Sequence, residues 1–205
     1  MAKNIEVELR GLLSKSKYDY LVGFFEKSGK FREFKERAVI DYSTFRPGEE
    51  ITNRTRDIRL RVTNRIPEII VKIGKFGGME QRREISVKTN IGDFDKLVCI
   101  FGIIGLTKGM LCFRKSRVYD YKGIEFALVE VPGHSYYFEA EKMVHSTASK
   151  EKARKEIEKI CKSLGLKLFD EKGFFEYIDK LNKEANEVFD FKDHKEDYFK
   201  KRFGL

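Results

Sequence analysis

Several stretches of this sequence alternate charged with apolar residues, and the charged positions within one stretch often share the same sign. The like-charged pairs are Glu6 and Glu8, Arg59 and Arg61, Lys115 and Arg117, and Glu139 and Glu141. Period-two alternation is typical of a β-strand, on which residues two apart project from the same face. Because like charges placed side by side repel, such a face is stable only where counter-ions relieve the repulsion.

Two arrangements satisfy this pattern. The charged face of an open antiparallel sheet can meet water while the apolar face packs on a core. Alternatively, the sheet closes into a barrel with a charged lumen and an apolar outside covered by helices, and about eight strands leave room for one small ligand. Paired carboxylates favour a hard cation such as Mg²⁺ or Mn²⁺, and paired basic residues favour phosphates. The signs therefore favour a barrel that holds a polyanion with its metal.

The periodicity predicts about eight strands and four helices. The predicted strands cover residues 5–10, 34–45, 57–62, 69–73, 82–87, 111–117, 124–128 and 137–141. The predicted helices cover residues 16–28, 93–101, 149–164 and 172–188. Ser16 and Asp19 form a capping signal for the first helix, and Gly29 follows it as a C-cap. Short turns imply antiparallel neighbours, so we predict an α+β fold: an eight-stranded antiparallel β-barrel with helices packed outside.

The length of 205 residues favours one domain, which we place at residues 1–190. Residues 191–205 form a charged, aromatic extension that is either a docking helix or a frayed tail. The apolar stripe over 172–188 is expected to be core, or to seat the partner of a homodimer.

The positive charge is concentrated on predicted strands. The chain has 42 basic and 33 acidic residues, a net charge of +9. Residues 54–88 alone contain ten basic and four acidic residues, a net charge of +6. An anionic partner is expected, but nucleic acid is not favoured because the excess lies on the inferred lumen and not on a disordered arm.

Other features exclude several classes of protein. The three cysteines show no CxxC spacing, and the three histidines are scattered, so a zinc site is not expected. No stretch approaches the ~20 apolar residues of a membrane span, and the first residues do not resemble a secretory signal. We expect a cytoplasmic protein with no membrane partner.

Six motifs in chain order resemble those of the CYTH superfamily, also called triphosphate tunnel metalloenzymes. The matching positions are Glu6-x-Glu8-x-Arg10 for E-x-E-x-K, Arg59-x-Arg61 for R-x-R, Lys72, Arg82-x-Glu84-x-Ser86 for R-x-E-x-E, Lys115-x-Arg117 for K-x-R, and Glu139-x-Glu141 for the closing E-x-E. Arg10 and Ser86 depart from the usual Lys and acid. Val129 stands where the family usually has Asp; Glu125 has the lumen-facing parity four residues earlier, and Glu130 has the opposite parity.

The resemblance implies a tunnel in which acids hold one or two divalent metals and basic residues hold a triphosphate. The implied ligands of Mg²⁺ or Mn²⁺ are Glu6, Glu8, Glu84, Glu139 and Glu141. The implied substrate-binding residues are Arg10, Arg59, Arg61, Lys72, Arg82, Lys115 and Arg117. The implied catalytic residues are Glu6, Glu8, Lys72, Glu139 and Glu141. Some members add a basic residue from a C-terminal helix, for which Lys172 and Lys180 are the candidates.

The family includes class IV adenylate cyclases, thiamine triphosphatases, inorganic triphosphatases and fungal-type RNA triphosphatases. The first expectation is metal-dependent hydrolysis of a triphosphate-containing small molecule: inorganic, nucleoside or thiamine triphosphate. One alternative is a class IV-type adenylate cyclase, which makes cyclic AMP and pyrophosphate from ATP. The other is a non-catalytic binder of nucleotide, polyphosphate or RNA 5′-triphosphate.

Overall fold

One antiparallel sheet of ten strands forms the body of the molecule in the computed structural model, which describes residues 5–48, 50–77, 79–80, 82–195 and 197–204. The strands are β1 (Ile5–Leu13), β2 (Lys30–Asp41), β3 (Arg56–Thr63), β4 (Ile66–Ile73), β5 (Met79–Glu80), β6 (Arg83–Lys88), β7 (Lys108–Tyr121), β8 (Ile124–Val131), β9 (Ser135–Val144) and β10 (Glu187–Asp190). The α-helices are α1 (Lys15–Ser28), α2 (Phe94–Ile103), α3 (Lys150–Ser163), α4 (Glu171–Glu184) and α5 (Tyr198–Phe203).

The sheet curls so that its two edges meet along one stretch of chain. The strand order is β5-β1-β9-β8-β7-β2-β3-β4-β6, and β10 pairs with β7 outside this path. Strands β5 and β6 follow each other closely in sequence, yet β5 pairs with β1 and β6 pairs with β4. When β5 and β6 are counted together as one strand position, eight positions surround a lumen. The expected α+β class and eight-stranded antiparallel architecture are confirmed.

Two apolar clusters cover the outer face of the curled sheet. Helices α1 and α3 contribute Leu21, Phe25 and Ile157, which are fully buried against sheet residues such as Phe126. Helices α2 and α5 cover the opposite flank, where Phe199 packs on Phe94 with ring centroids 4.9 Å apart. Because the apolar positions of the strands face these helices, the alternating charged positions face the lumen.

Several element boundaries differ from the sequence prediction. Helix α1 begins after Ser14, whose hydroxyl accepts a hydrogen bond from the Lys17 amide, and not at Ser16. The strand predicted over 34–45 covers residues 30–41 instead, because the Asp41 carboxylate accepts the Ser43 amide and starts a 3₁₀ turn. The helix predicted over 172–188 ends at Glu184, and the chain then forms β10.

The C-terminal stretch is docked on the sheet domain. The carboxylate of Asp95 on α2 accepts hydrogen bonds from the backbone amides of Phe199 and Lys200, at 3.1 and 3.0 Å. These bonds satisfy amides in the first turn of α5, which have no partner within a helix. Of the two expectations for this stretch, the structure has the docking helix. Across the described residues, no helix has both the length and the hydropathy that crossing a membrane requires.

Candidate active site in the tunnel lumen

The lumen contains two adjoining compartments. The first, of about 240 Å³, is lined by charged side chains and is called the carboxylate compartment; its acids are Glu6, Glu8, Glu84, Glu125, Glu139 and Glu141. The second, of about 170 Å³, lies under α4 and is called the aromatic compartment; its rings are Phe76, Tyr137, Phe169, Phe174 and Tyr177. Arg10, Arg37, Arg59 and Glu139 line both compartments, so the two are continuous.

The carboxylates converge because three neighbouring strands place them in register. On β9, Glu141 pairs with Glu8 of β1 on one side and with Glu125 of β8 on the other. The pKa of Glu141 is raised to about 8, first by burial and then by the negative charges of Glu6, Glu125 and Glu139. Several carboxylates therefore lie close enough together at this point of the compartment to disfavour ionisation of Glu141.

Strand β8 supplies its lumen carboxylate from Glu125. Val129 is buried and lies in register with Ser116 and Tyr137, both of which line the lumen. The position at which the CYTH resemblance expects Asp is thus apolar here. Glu125, on the same face of the strand, extends a carboxylate into the compartment.

The donor chemistry of this compartment fits a hard divalent cation. Carboxylate oxygens are the ligands preferred by Mg²⁺ and Mn²⁺, and Mg²⁺ commonly uses only one or two carboxylates besides water and substrate phosphates. Within the described ranges, no three Asp, Glu, His or Cys side chains are already arranged as a metal-binding group. A metal would therefore bind to clustered carboxylates that are not arranged as a ready coordination sphere.

Lys72 lies at the seam where the two edges of the sheet meet. Its ammonium is 3.2 Å from a carboxylate oxygen of Glu6 on β1 and 3.2 Å from one of Glu84 on β6. Burial raises the pKa of Glu6, but the positive charge of Lys72 and other contacts lower it by a larger amount. The net shift of this pKa is therefore downward. The structure thus brings together Lys72, Glu6 and Glu84, three of the residues that the sequence assigned to the candidate site.

Most of the lumen arginines are already ion-paired with acids. The Nε atom of Arg10 donates to Glu8 at 2.6 Å and to Glu139 at 3.2 Å. Arg61 donates twice to one oxygen of Glu68, at 2.6 and 3.2 Å. These two arginines line the lumen, as does Arg59, which is described next, and their acids hold them in place.

A buried carboxylate organises the wall at the aromatic end. Asp57 is fully buried and contacts Arg54 at 3.1 Å, Arg59 at 2.7 Å, and Arg82. Burial raises the pKa of Asp57. The positive charges of Arg59, Arg82 and Arg54 lower it by more, so that this pKa lies well below its ordinary value. Asp57 therefore fixes three guanidinium groups, of which Arg54 and Arg59 line the aromatic compartment.

Two lumen arginines differ from the rest. Arg37 on β2 and Arg114 on β7 are directly paired across neighbouring strands, and both line the aromatic compartment. Arg37 donates to the Thr63 hydroxyl at 3.1 Å, and Arg114 donates to the Asn186 side chain at 3.1 Å. Among the described residues, neither has a carboxylate within ion-pairing distance. Burial, and then the nearby charge of Arg61, lower the pKa of Arg37. This pair is positioned to bind an anion.

Three residues predicted to bind substrate are not on the cavity wall. Lys115 pairs with Glu36 at 3.1 Å, and Arg117 lies over the Phe34 ring at 5.6 Å, both on the outer face. The prediction that they face the lumen is wrong, because Ser116 between them lines the cavity and strand parity excludes its neighbours. Arg82 is buried against Asp57 and the Phe76 ring instead of facing open space.

Helix α4 closes the lumen with apolar and amide side chains. It contributes Phe174, Tyr177, Ile178, Leu181 and Asn182 to the aromatic compartment. The candidates for a basic residue on this helix, Lys172 and Lys180, are exposed and pair with Glu176 and Glu184 on the same helix. Neither lysine lines the compartment, so the cations at this end come from strands and loops.

Several lumen residues were missed from the sequence, although a signal existed for some. Leu111 and Phe113 share their parity with Lys115 and Arg117, and both belong to an apolar cluster on the outer face of the sheet. The same parity assigns Arg114 to the lumen. On β2, Ala38 and Ile40 belong to the outer apolar cluster, and their parity assigns Lys35 and Arg37 to the lumen. By contrast, no local pattern distinguishes the buried Asp57 from other strand acids.

The fold is shared with solved structures of low sequence identity. The PH1819 protein from Pyrococcus horikoshii superposes with a TM-score of 0.67 at 23% identity, covering 85% of this chain and 98% of that chain. A "putative adenylate cyclase" from Vibrio parahaemolyticus gives 0.57 at 15% identity, covering 79% and 89%. A "putative adenylyl cyclase" from Hippeastrum, described as having a dominant triphosphatase activity, gives 0.53 at 14%, covering 80% and 89%.

These likenesses establish a shared fold. No protein-family model and no curated protein matches the sequence itself.

Proposed function

We propose that this protein is a divalent-metal-dependent enzyme of the triphosphate tunnel type, which hydrolyses a phosphoanhydride bond of a triphosphate-containing small molecule. One observation carries the proposal. A single lumen joins a group of carboxylates that lie close enough to repel one another to a pair of arginines that have no carboxylate partner among the described residues. A triphosphate with its cation supplies both missing charges, since the metal relieves the acids and the phosphates neutralise the arginines.

The acids of the carboxylate compartment are the proposed metal ligands: Glu6, Glu8, Glu84, Glu125, Glu139 and Glu141. A bound Mg²⁺ or Mn²⁺ would supply Lewis-acid polarisation of a phosphoryl oxygen and an activated water. The chain's own contribution is electrostatic and geometric. Arg37 and Arg114 bind phosphate oxygens, while Arg10 and Arg59, already held by acids, orient the chain of phosphates along the lumen. Lys72 supplies a further positive charge beside the carboxylates.

The fold neighbours support the class of reaction without selecting one. Two of them are named as adenylate or adenylyl cyclases, and one of these as having a dominant triphosphatase activity. A cyclase would use the same metal and phosphate contacts and would need a place for the nucleoside, which the aromatic compartment offers. Cyclisation of ATP is therefore the second candidate, and its products distinguish it from hydrolysis.

The test is an assay of the purified protein with tripolyphosphate, ATP and thiamine triphosphate, each with Mg²⁺ or Mn²⁺. Release of inorganic phosphate supports hydrolysis, and cyclic AMP with pyrophosphate supports the cyclase. Glu139→Gln, which removes a carboxylate shared by both compartments, should abolish metal-dependent turnover. Glu130→Gln is the matched control, because Glu130 lies one strand away with the opposite parity and does not line the cavity. Equal activity in the two variants would refute the site.

A further inference from the structure

The aromatic compartment contains more apolar surface than phosphates require. Its rings pack on one another: Phe169 stacks on Tyr177 with centroids 5.4 Å apart, and Phe76 lies 5.5 Å from Phe174. Ile178 and Leu181 of α4 complete the apolar wall. Its volume of about 170 Å³ leaves room for roughly a dozen waters. Inorganic triphosphate would bind the charged groups and leave this apolar space unused.

The apolar wall lies directly beside the phosphate-binding cations. The guanidinium of Arg10 lies 5.3 Å from the centroid of the Phe174 ring, and that of Arg54 lies 5.2 Å from the Phe76 ring. On the other side, Arg114 donates to Asn186, whose amide donates in turn to the Asn182 side chain on α4 at 2.8 Å. A group that fills the compartment is therefore next to any phosphate bound at Arg37 and Arg114.

We propose that the substrate is an organic ester of triphosphate and not inorganic triphosphate; this inference rests on the proposed function. The planar, largely apolar group of the ester lies in the aromatic compartment under α4. Such a group removes its own surface and that of the rings from water, and stacks against them. The amide groups of Asn182 and Asn186 supply hydrogen-bonding edges suited to a heterocycle. This arrangement makes α4 the element that selects the substrate, while the strands bind the phosphates.

The test compares kcat/KM for ATP and thiamine triphosphate with that for tripolyphosphate. The wild-type protein should prefer at least one organic substrate by tenfold or more. Ile178→Trp, which fills the compartment from α4, should reduce this preference at least tenfold. Glu176→Trp is the matched control: it places the same side chain on the exposed face of the same helix and should change the preference by less than twofold. Thermal unfolding of each variant reports whether it is folded.

If Ile178→Trp does not fold, Ile178→Ala takes its place, with an expected reduction in preference of at least threefold. A wild-type preference for tripolyphosphate, or an unchanged preference in the folded Ile178 variant, would overturn the inference while leaving the phosphohydrolase proposal standing. Absence of turnover with all three compounds would count against the proposed function instead. In that case, calorimetric affinities for ATP and tripolyphosphate decide the inference, and equal affinities would refute it.

Discussion

Removal of the Arg37 charge should make the ligand-free protein more stable and should reduce the further stabilisation that a triphosphate ligand provides. Arg37 faces Arg114 across two paired strands, with Arg61 diagonal to it on β3, and has no carboxylate partner among the described residues. The charge of Arg61 disfavours the charged form of Arg37, and two unit charges about 6 Å apart at an effective dielectric constant near 20 repel by about 2–3 kcal/mol. Arg37→Met loses one hydrogen bond to Thr63, worth about 1 kcal/mol.

The ligand-free variant should therefore gain about 1–2 kcal/mol, or roughly 2–8 °C in unfolding temperature. Loss of a charge-assisted contact to phosphate, worth about 1.5–3 kcal/mol, should weaken tripolyphosphate binding roughly 10- to 100-fold. At a ligand concentration that stabilises the wild type by about 2.7 kcal/mol, the variant would gain only about 0.4–1.4 kcal/mol.

The assay is thermal unfolding with and without tripolyphosphate, in the absence of divalent metal so that no turnover occurs. Arg61→Met is the matched control: it makes the same substitution on the next strand, but it leaves Glu68 without its double contact. That variant should lose about 1–3 kcal/mol in the ligand-free state. The reasoning is wrong if Arg37→Met is destabilised like Arg61→Met, or if tripolyphosphate stabilises it as much as the wild type.

Three further predictions follow from the same charges. Asp57→Asn should cost about 3–5 kcal/mol at neutral pH by chemical denaturation, since it removes the buried carboxylate that Arg54, Arg59 and Arg82 share. The pKa of Asp57 in the folded protein lies below its ordinary 3.8. The extra free energy of unfolding of the wild type over Asp57→Asn should therefore be fully present above pH 3.8 and should be lost as the pH falls below it. The raised pKa of Glu141 implies the opposite pH dependence. The metal-free wild type should lose stability as the pH rises from about 4.5 to about 8. Glu141→Gln should remove this loss in melting curves measured at different pH values. Lys115→Ala should leave phosphate release within twofold of wild type, and a tenfold loss would return Lys115 to the site.

The sequence alone was sufficient for the residues whose strand parity is unambiguous. The carboxylates of β1 and β9, and Arg59 and Arg61 of β3, were placed on the lumen face by period-two alternation with apolar neighbours. Their like-charged spacing also predicted that the face needs counter-ions. The assignment failed on β7, where both faces carry basic residues, because a one-residue change of register moves every side chain to the other face.

The sequence by itself determined that this chain forms an antiparallel sheet with one charged and one apolar face, because side-chain alternation is a local property of a strand. Only the tertiary structure decided which charges meet, because ion pairing depends on the order of strands and their register. Asp57 is paired with three arginines, while Arg37 and Arg114 face each other without a carboxylate among the described residues. The aromatic compartment also exists only in three dimensions, since α4, far along the chain, closes one end of a lumen built from the strands.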